Sequence, residues 1–322
     1  LLFVIGLFFS LVSTSLIASD KLDTNSYFFF FKHLIYVLIG ISLIFIFSSL
    51  NSDQLYKYSI FLFFISLISL FLVPFVGVEV KGSKRWIDLF FLPRFQPIEV
   101  LKPFLIIILA TIFCDIRSNI LFKYLISIIL ISVISLLLIA QPDIGQTLLV
   151  VFCWAALIFT SGINIYILLA IFIAGASLLA YLIIFVPKFD YIQGRIFSFF
   201  NRETGTHNFQ SDKAIESITS GGFFGKGIGE GVLKNRVPEA HTDYIISVIS
   251  EEFGVVAIML ILLLFLILIY MVFKKISFET NDKVKLILIG SISLILMQAT
   301  IHVGVNIRLF PTTGMTLPFL SY

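Results

Sequence analysis

The chain has 322 residues, 59% of them hydrophobic and 13% charged, with a formal net charge of +3 and a mean hydropathy of +1.08. So few polar groups cannot cover a soluble globular surface, which excludes an ordinary water-soluble domain and indicates a polytopic membrane protein. Apolar runs near 20 residues recur, whereas barrel strands would alternate over about 10, so the expected fold class is all-α.

Nine spans are expected, at about 1–19, 33–50, 57–76, 97–113, 123–140, 146–161, 164–186, 243–272 and 284–305. The first opens on Leu1 already inside an apolar run, without a basic leader region or a small-residue cleavage site, so it reads as a span and not as a signal peptide. The chain reads as a fragment missing both ends. Cys114 and Cys153 lie beside apolar runs without metal-ligand spacing and read as small buried side chains.

Interspan loops on one side are short; on the other they are longer and hold most of the unusual residues. Counting Lys and Arg does not fix orientation. The longer loops carry Lys81, Lys84, Arg85, Arg94, Lys188, Arg195, Arg202, Lys213, Lys226, Lys234 and Arg236, an excess that suits an anionic ligand at a membrane surface.

The third interspan loop leads into a span that opens with Pro97 and carries Glu99 and Lys102 in its first turns. That pair can neutralise itself on one helix face, or it can mark function, because charges near an embedded helix end are costly. Trp86 beside Lys84 and Arg85 suits an interfacial anchor. Between spans five and six, QPDIGQ makes a tight turn in which Asp143 either bonds local backbone or serves chemistry.

The loop at 187–242 is too long for a simple connector. Its stretch 208–219 places Phe209, Ile215 and Ile218 roughly on one side, as in a short amphipathic interfacial helix. The run SGGFFGKGIGEG at 220–231 can form a backbone nest for phosphate oxygens, or be merely flexible; it lacks the strand and GK[ST] of a P-loop. Asp243 stands where a helix N-cap is expected, a reading that needs no function. The functional alternative joins it to Glu239, His241 and the deeper Glu251 and Glu252.

GSKRWIDL at 82–89, QPIEVLK at 96–102, QPDIGQ at 141–146, SGGFFGKGIGEG at 220–231, PEAHTDYIISVISEEFG at 238–254 and VNIRLFPTTGMTLPFLSY at 305–322 occur in this order and spacing. Together they resemble the SEDS family of shape, elongation, division and sporulation proteins over nearly the whole chain. The resemblance implies a ten-span enzyme of the bacterial inner membrane that polymerises lipid II into glycan strands. It also implies a single integral membrane domain over 1–322, with 187–242 as the large periplasmic loop between spans seven and eight and the tenth span missing. Ala240 and the C-terminal motif lean toward the division branch over the elongation branch. Ile98, Arg308 and Thr313 depart from the usual pattern, and Thr313 weakens that leaning.

By the same resemblance Asp243 matches an essential aspartate and is the expected general base in an inverting transfer. Lys102, Arg85, Arg195 and Lys226 are the expected cations for the pyrophosphate leaving group. Glu99 is expected to orient Lys102, while Glu239, His241, Asp143 and Glu251 shape the site. The implied partners are lipid II, a class B penicillin-binding transpeptidase and division proteins, with no nucleic acid. No cofactor is implied with certainty, and a divalent cation is left open. A lipid II flippase, an elongation polymerase and a non-enzymatic division scaffold remain as alternatives.

Overall fold

The computed structural model describes residues 1–21, 27–80, 83–89, 92–115, 119–200, 209–233, 237 and 242–321. The helices are α1 (Leu2–Lys21), α2 (Phe28–Ser48), α3 (Ser52–Val76), α4 (Pro97–Cys114), α5 (Ile120–Ala140), α6 (Ile144–Thr160), α7 (Ile165–Phe185), α8 (Asp190–Phe200), α9 (Phe209–Gly221), α10 (Ile245–Phe278) and α11 (Asp282–Asn306). Seven of them, α2, α3, α4, α5, α7, α10 and α11, are long and apolar enough to cross a bilayer. The two other segments read as spans are occupied by α1 and α6, whose apolar stretches, Leu2–Val12 and Ile144–Thr160, are shorter. The chain is thus a multi-pass helical membrane protein, as its composition requires.

One departure from pure helix lies in the loop after α3. There β1 (Val78–Val80), β2 (Ser83–Leu89) and β3 (Leu92–Phe95) form a small antiparallel sheet in the order β1-β2-β3. Its alternation sorts the basic cluster: Ile87 is buried and Arg85 is turned inward, while Lys84, Trp86 and Asp88 are exposed.

By internal packing the chain forms two compact units. One comprises Leu1–Ser49, Gln193–Met271 and Gln298–Tyr322; the other comprises Leu50–Ile192 and Val272–Met297. The core of the second is built from the apolar faces of α4 and α6, with Ile98, Leu101, Leu105, Leu109, Leu149 and Leu157 buried. Trp154 Nε1 donates to Ser127 Oγ at 3.2 Å, and the buried Cys153 thiol sits 3.5 Å from the Gly290 carbonyl. Cys114 is partly exposed, and both thiols are free.

In the first unit the decisive feature is a break in α10 at Gly254, where φ is +77°. Breaking a helix frees carbonyls on one side and N–H groups on the other. The glycine-rich loop after α9 supplies the missing partners: Lys226 N–H donates to the Glu251 carbonyl (2.9 Å) and Gly227 N–H to that of Glu252 (3.1 Å). Val255 and Val256 N–H donate back to the carbonyls of Gly222 (3.0 Å) and Phe223 (3.2 Å).

The backbones meet so closely that a Cβ on Gly254 would lie 2.2 Å from the Phe223 carbonyl oxygen, and one on Gly225 would lie 2.1 Å from that of Glu252. The glycines therefore serve close backbone approach. Upstream, α9 buries a stripe of small residues, Ser211, Ala214, Ser217 and Gly221, in place of the Phe209–Ile215–Ile218 side. Ser217 Oγ lies 3.2 Å from the Ser247 carbonyl, and Ser250 Oγ donates to that of Ile218. Small residues allow this approach of helix to helix.

Gly254→Ala is expected to lower the thermal midpoint of the detergent-solubilised protein, at a cost on the order of 2–4 kcal/mol from the left-handed φ and the carbonyl clash. Gly175→Ala in α7, where a Cβ meets nothing within 4 Å, should leave the midpoint unchanged or slightly raised.

Candidate functional site

Four of the sequence-predicted residues, Arg85, Glu99, Lys102 and Asp143, form one polar network within the second unit. Gln96 precedes α4, Pro97 opens it, and Glu99 and Lys102 follow one turn apart. Lys102, 3% exposed, reaches Glu99 Oε2 at 2.7 Å and donates to Gln146 Oε1 at 3.2 Å. Gln146 in turn donates through Nε2 to Glu99 Oε1 at 2.6 Å, closing a ring of three side chains.

Asp143 caps α6 by accepting from Gln146 N–H at 3.3 Å, so the local structural role foreseen for it is realised. It also accepts from Gln96 Nε2 at 2.9 Å and has Arg85 Nε at 3.6 Å. Arg85 donates further to the carbonyls of Gln141 and Pro142, which fixes its guanidinium against the QPDIGQ turn. Burial raises the Asp143 carboxyl above its ordinary value; the Arg85 charge and the Gln146 N–H pull it down, and Glu99 pushes it up.

The other described candidates lie in the first unit. Asp243 occupies the turn immediately before α10, two residues ahead of the first helical residue, and is partly exposed. Its backbone carbonyl accepts from Asn306 Nδ2 at 3.1 Å, and the neighbouring Thr242 carbonyl accepts from Ser321 Oγ at 2.8 Å. The segment after α11 runs past this turn. His302 Nδ1 holds the Met315 carbonyl at 2.7 Å, and Gln298 Nε2 donates to that of Thr316 at 3.1 Å. Gly314 has φ +69°, which favours glycine, and a side chain added there would start 3.5 Å from Asp243 Oδ2, so the segment after α11 passes beside the carboxylate.

Arg195, in α8, donates from Nη1 to the Thr312 carbonyl at 2.9 Å and lines a cleft with Ser198, Ser211, Arg308 and Thr312. Arg308, one of the departures in the C-terminal motif, pairs with Asp212 of α9. Burial pushes the Tyr244 hydroxyl up to about 12, so it stays protonated beside Ser211.

Glu251 is fully buried and committed to the loop. Its Oε1 accepts from Leu233 N–H at 2.9 Å and faces Lys226 Nζ at 3.4 Å, while Ser217 Oγ donates to Oε2 at 2.9 Å. Lys226 is thereby tied to Glu251 within the loop. Glu239 and His241 lie outside the described residues.

Sequence reading does not single out Gln96, Gln146, His302 and Asn306, although Gln96, Gln146 and Asn306 stand in quoted motifs and His302 is a polar residue in an apolar span. Intramembrane polarity is the available signal for His302. Among the described residues no three His, Cys, Asp or Glu side chains converge on a common point. Magnesium, which commonly takes one or two carboxylates together with substrate phosphates, would not demand such a cluster.

A family model covering FtsW, RodA and SpoVE, described as cell cycle protein, matches residues 1–322. The chain belongs to this family. It is 31% identical over 330 residues to a probable peptidoglycan glycosyltransferase FtsW of Caulobacter vibrioides, covering all of this chain and 82% of that one. A protein of the same description from Coxiella burnetii is 32% identical over 322 residues, covering 96% of this chain and 85% of its own. Among solved structures, a chain of a peptidoglycan synthase complex that coordinates polymerization and crosslinking matches with a TM-score of 0.79 at 25% identity, covering 100% of this chain and 90% of that one. The Thermus thermophilus rod shape-determining protein RodA matches with a TM-score of 0.70 at 26% identity, covering 100% and 88%.

The raised Asp143 carboxyl gives this FtsW/RodA/SpoVE-family chain a testable pH signature. A folded pKa above the unfolded one means that the folded state holds the proton more tightly, so this contribution is full below about pH 4 and is lost as pH rises through the folded value. The thermal midpoint of Asp143→Asn, measured relative to the parent, is therefore expected to shift in the variant's favour as pH is raised from about 4 to about 7.

Proposed function

We infer that the protein is a peptidoglycan glycosyltransferase of the bacterial inner membrane, polymerising lipid II into glycan strands during cell division with its active site on the periplasmic face. The observation that carries this reading is the full-length relationship to chains named peptidoglycan glycosyltransferase FtsW. That name also favours the division role over the elongation role. A class B penicillin-binding transpeptidase is the proposed partner, supported by the likeness to a synthase complex that couples polymerization to crosslinking. Division proteins are proposed as further partners on the FtsW resemblance.

In the proposed reaction the 4-hydroxyl of an acceptor N-acetylglucosamine attacks the anomeric carbon of a donor N-acetylmuramic acid. The bond to undecaprenyl pyrophosphate breaks, and the configuration at that carbon inverts. One carboxylate suffices as base in a single displacement of this kind. Asp243 is assigned that role on the family resemblance, supported by its partly exposed place in a turn that Asn306 holds through the Asp243 carbonyl.

Lys102 and Arg85 are assigned to the leaving pyrophosphate, each held in a fixed hydrogen-bonded geometry as electrostatic stabilisation requires. Glu99 and Asp143 orient them. Arg195 is a further cation for an anionic part of the substrate. Lys226 and Glu251 act through the loop they pin, and Glu239 and His241 are carried as site-shaping residues on the family resemblance alone.

The test is polymer formation from labelled lipid II by the full chain purified with its transpeptidase. Asp243→Asn is expected to lower the rate by about 10²–10⁴-fold, as loss of a general base does, with the thermal midpoint unchanged. Polymer at the parental rate from the variant would remove Asp243 from the chemistry. Movement of lipid II across liposome membranes without polymer from the parent would replace the reading with transport.

A further inference from the structure

The break in α10 also divides the helix by environment. Residues 245–252 are all buried and Phe253 is partly so, whereas from Val255 onward only Ile261 and Phe265 are buried and large residues such as Met259, Leu260, Leu263, Leu266 and Tyr270 are exposed. No charged residue occurs between 255 and 273, and Lys274 and Lys275 follow. At 1.5 Å per residue that uncharged stretch of α10 is about 28 Å long, matching a hydrocarbon core of about 30 Å. With the lysine pair at one boundary, Gly254 falls at the opposite boundary.

The loop is fastened at this same level. Phe223 and Gly222 accept from Val256 and Val255, so the Phe223–Phe224 turn is set beside the first residues of the lipid-exposed stretch. Both rings project outward: Phe223 is 75% and Phe224 84% exposed, and Ile228 and Val232 on the returning limb are exposed as well. Lys226, two residues after Phe224 in the chain, is drawn back to Glu251. Large apolar side chains held out from a rigidly bonded turn mark a contact surface, and the level of this turn names its occupant.

We propose that the Phe223–Phe224 turn is a bilayer anchor, with both rings inserted into the lipid at the membrane boundary opposite Lys274 and Lys275. Irregular backbone near that depth is tolerable where its polar groups are bonded, and α10 meets the carbonyls of Gly222 and Phe223 and the N–H groups of Lys226 and Gly227. Anchoring there ties α9 and the glycine loop to the membrane surface, independently of the reaction the protein catalyses.

The experiment places a nitroxide on Phe224→Cys in a Cys114→Ser, Cys153→Ala background, reconstituted in vesicles of phosphatidylethanolamine and phosphatidylglycerol. Accessibility to oxygen and to a water-soluble nickel chelate is read by power saturation, with labels at Val256 as the depth marker and at the exposed Glu216 of α9 as the aqueous reference. The expected result is an oxygen-to-nickel ratio at 224 severalfold above that at 216 and close to that at 256. A ratio equal to that at 216 overturns the proposal in favour of a water-exposed turn, and low accessibility to both reagents overturns it in favour of a protein partner.

Should the cysteine-free background fail to fold, Phe224→Trp in the otherwise native chain provides a second reading through quenching by brominated lipids. The expected additional quenching, over the native Trp86 and Trp154 signal, is strongest for bromines near the headgroup and weaker for bromines deep in the chains. No additional quenching at any depth overturns the anchor.

Discussion

The hydrogen bonds across the break at Gly254 are the constraint on which the first unit depends. A helix interrupted near a membrane boundary exposes backbone groups that neither the ladder nor bulk water will satisfy, and each such group costs about 1–3 kcal/mol if left alone. Four are met by the loop from Gly222 to Gly227. The buried Glu251 carboxylate adds three contacts, to Ser217, Lys226 and the Leu233 N–H, which draw the end of α9 and both limbs of the loop onto one helix. A buried carboxylate is tolerable only when paired and bonded in this way. The long connection between α7 and α10 is thus in part a built structure, and the turn bearing Asp243 stands at the head of the helix it is fastened to.

Much of this was legible in the sequence at the level of spans and motifs, because bilayer thickness imposes a length on every crossing helix and charge is scarce enough to stand out. Glu99 with Lys102 was read either as a self-neutralising pair or as a functional one, and the direct bond at 2.7 Å shows the pairing itself. Asp143 was foreseen as a residue that bonds local backbone in a turn, and it caps α6. The glycine run taken alone suits a nest or a flexible linker; in the structure it serves close approach of backbone to a broken helix. The break depends on Gly254, thirty residues away in a stretch that reads as continuous helix, so no local pattern could pair the two.

Other features were illegible for similar reasons. In β2 the polarity does not follow the pleat, since Arg85 turns inward and Trp86 outward, and β1 and β3 are short and irregular in register, so no period-2 hydrophobic pattern marks the sheet. Gln96, Gln146 and Asn306 are amides that carry no charge and do not stand out among scarce ionisable groups, and His302 is a lone histidine in an apolar helix. Their importance comes from geometry: Asn306 bridges the carbonyls of Asp243 and His302, and Gln146 joins Lys102 to Glu99. Amides can donate and accept at once, which suits them to linking charged groups without adding net charge to a buried place.

That neutrality bears on how the second unit's network meets an anion. Arg85 is matched by Asp143 and two carbonyls, and Lys102 by Glu99 and Gln146, so the folded protein stores little uncompensated charge there. The partners are unequal in exposure: Lys102 is buried, whereas the Glu99 side chain is 44% exposed. An anion approaching from solvent meets the carboxylate first, and full use of the lysine requires Glu99 to turn aside. A fixed, buried ammonium with a movable, exposed counter-ion loses little reorganisation energy when one anion replaces another, because only the outer partner moves. Its desolvation was met during folding, and the exchange then draws on the difference between two anions and not on the full cost of burying a charge.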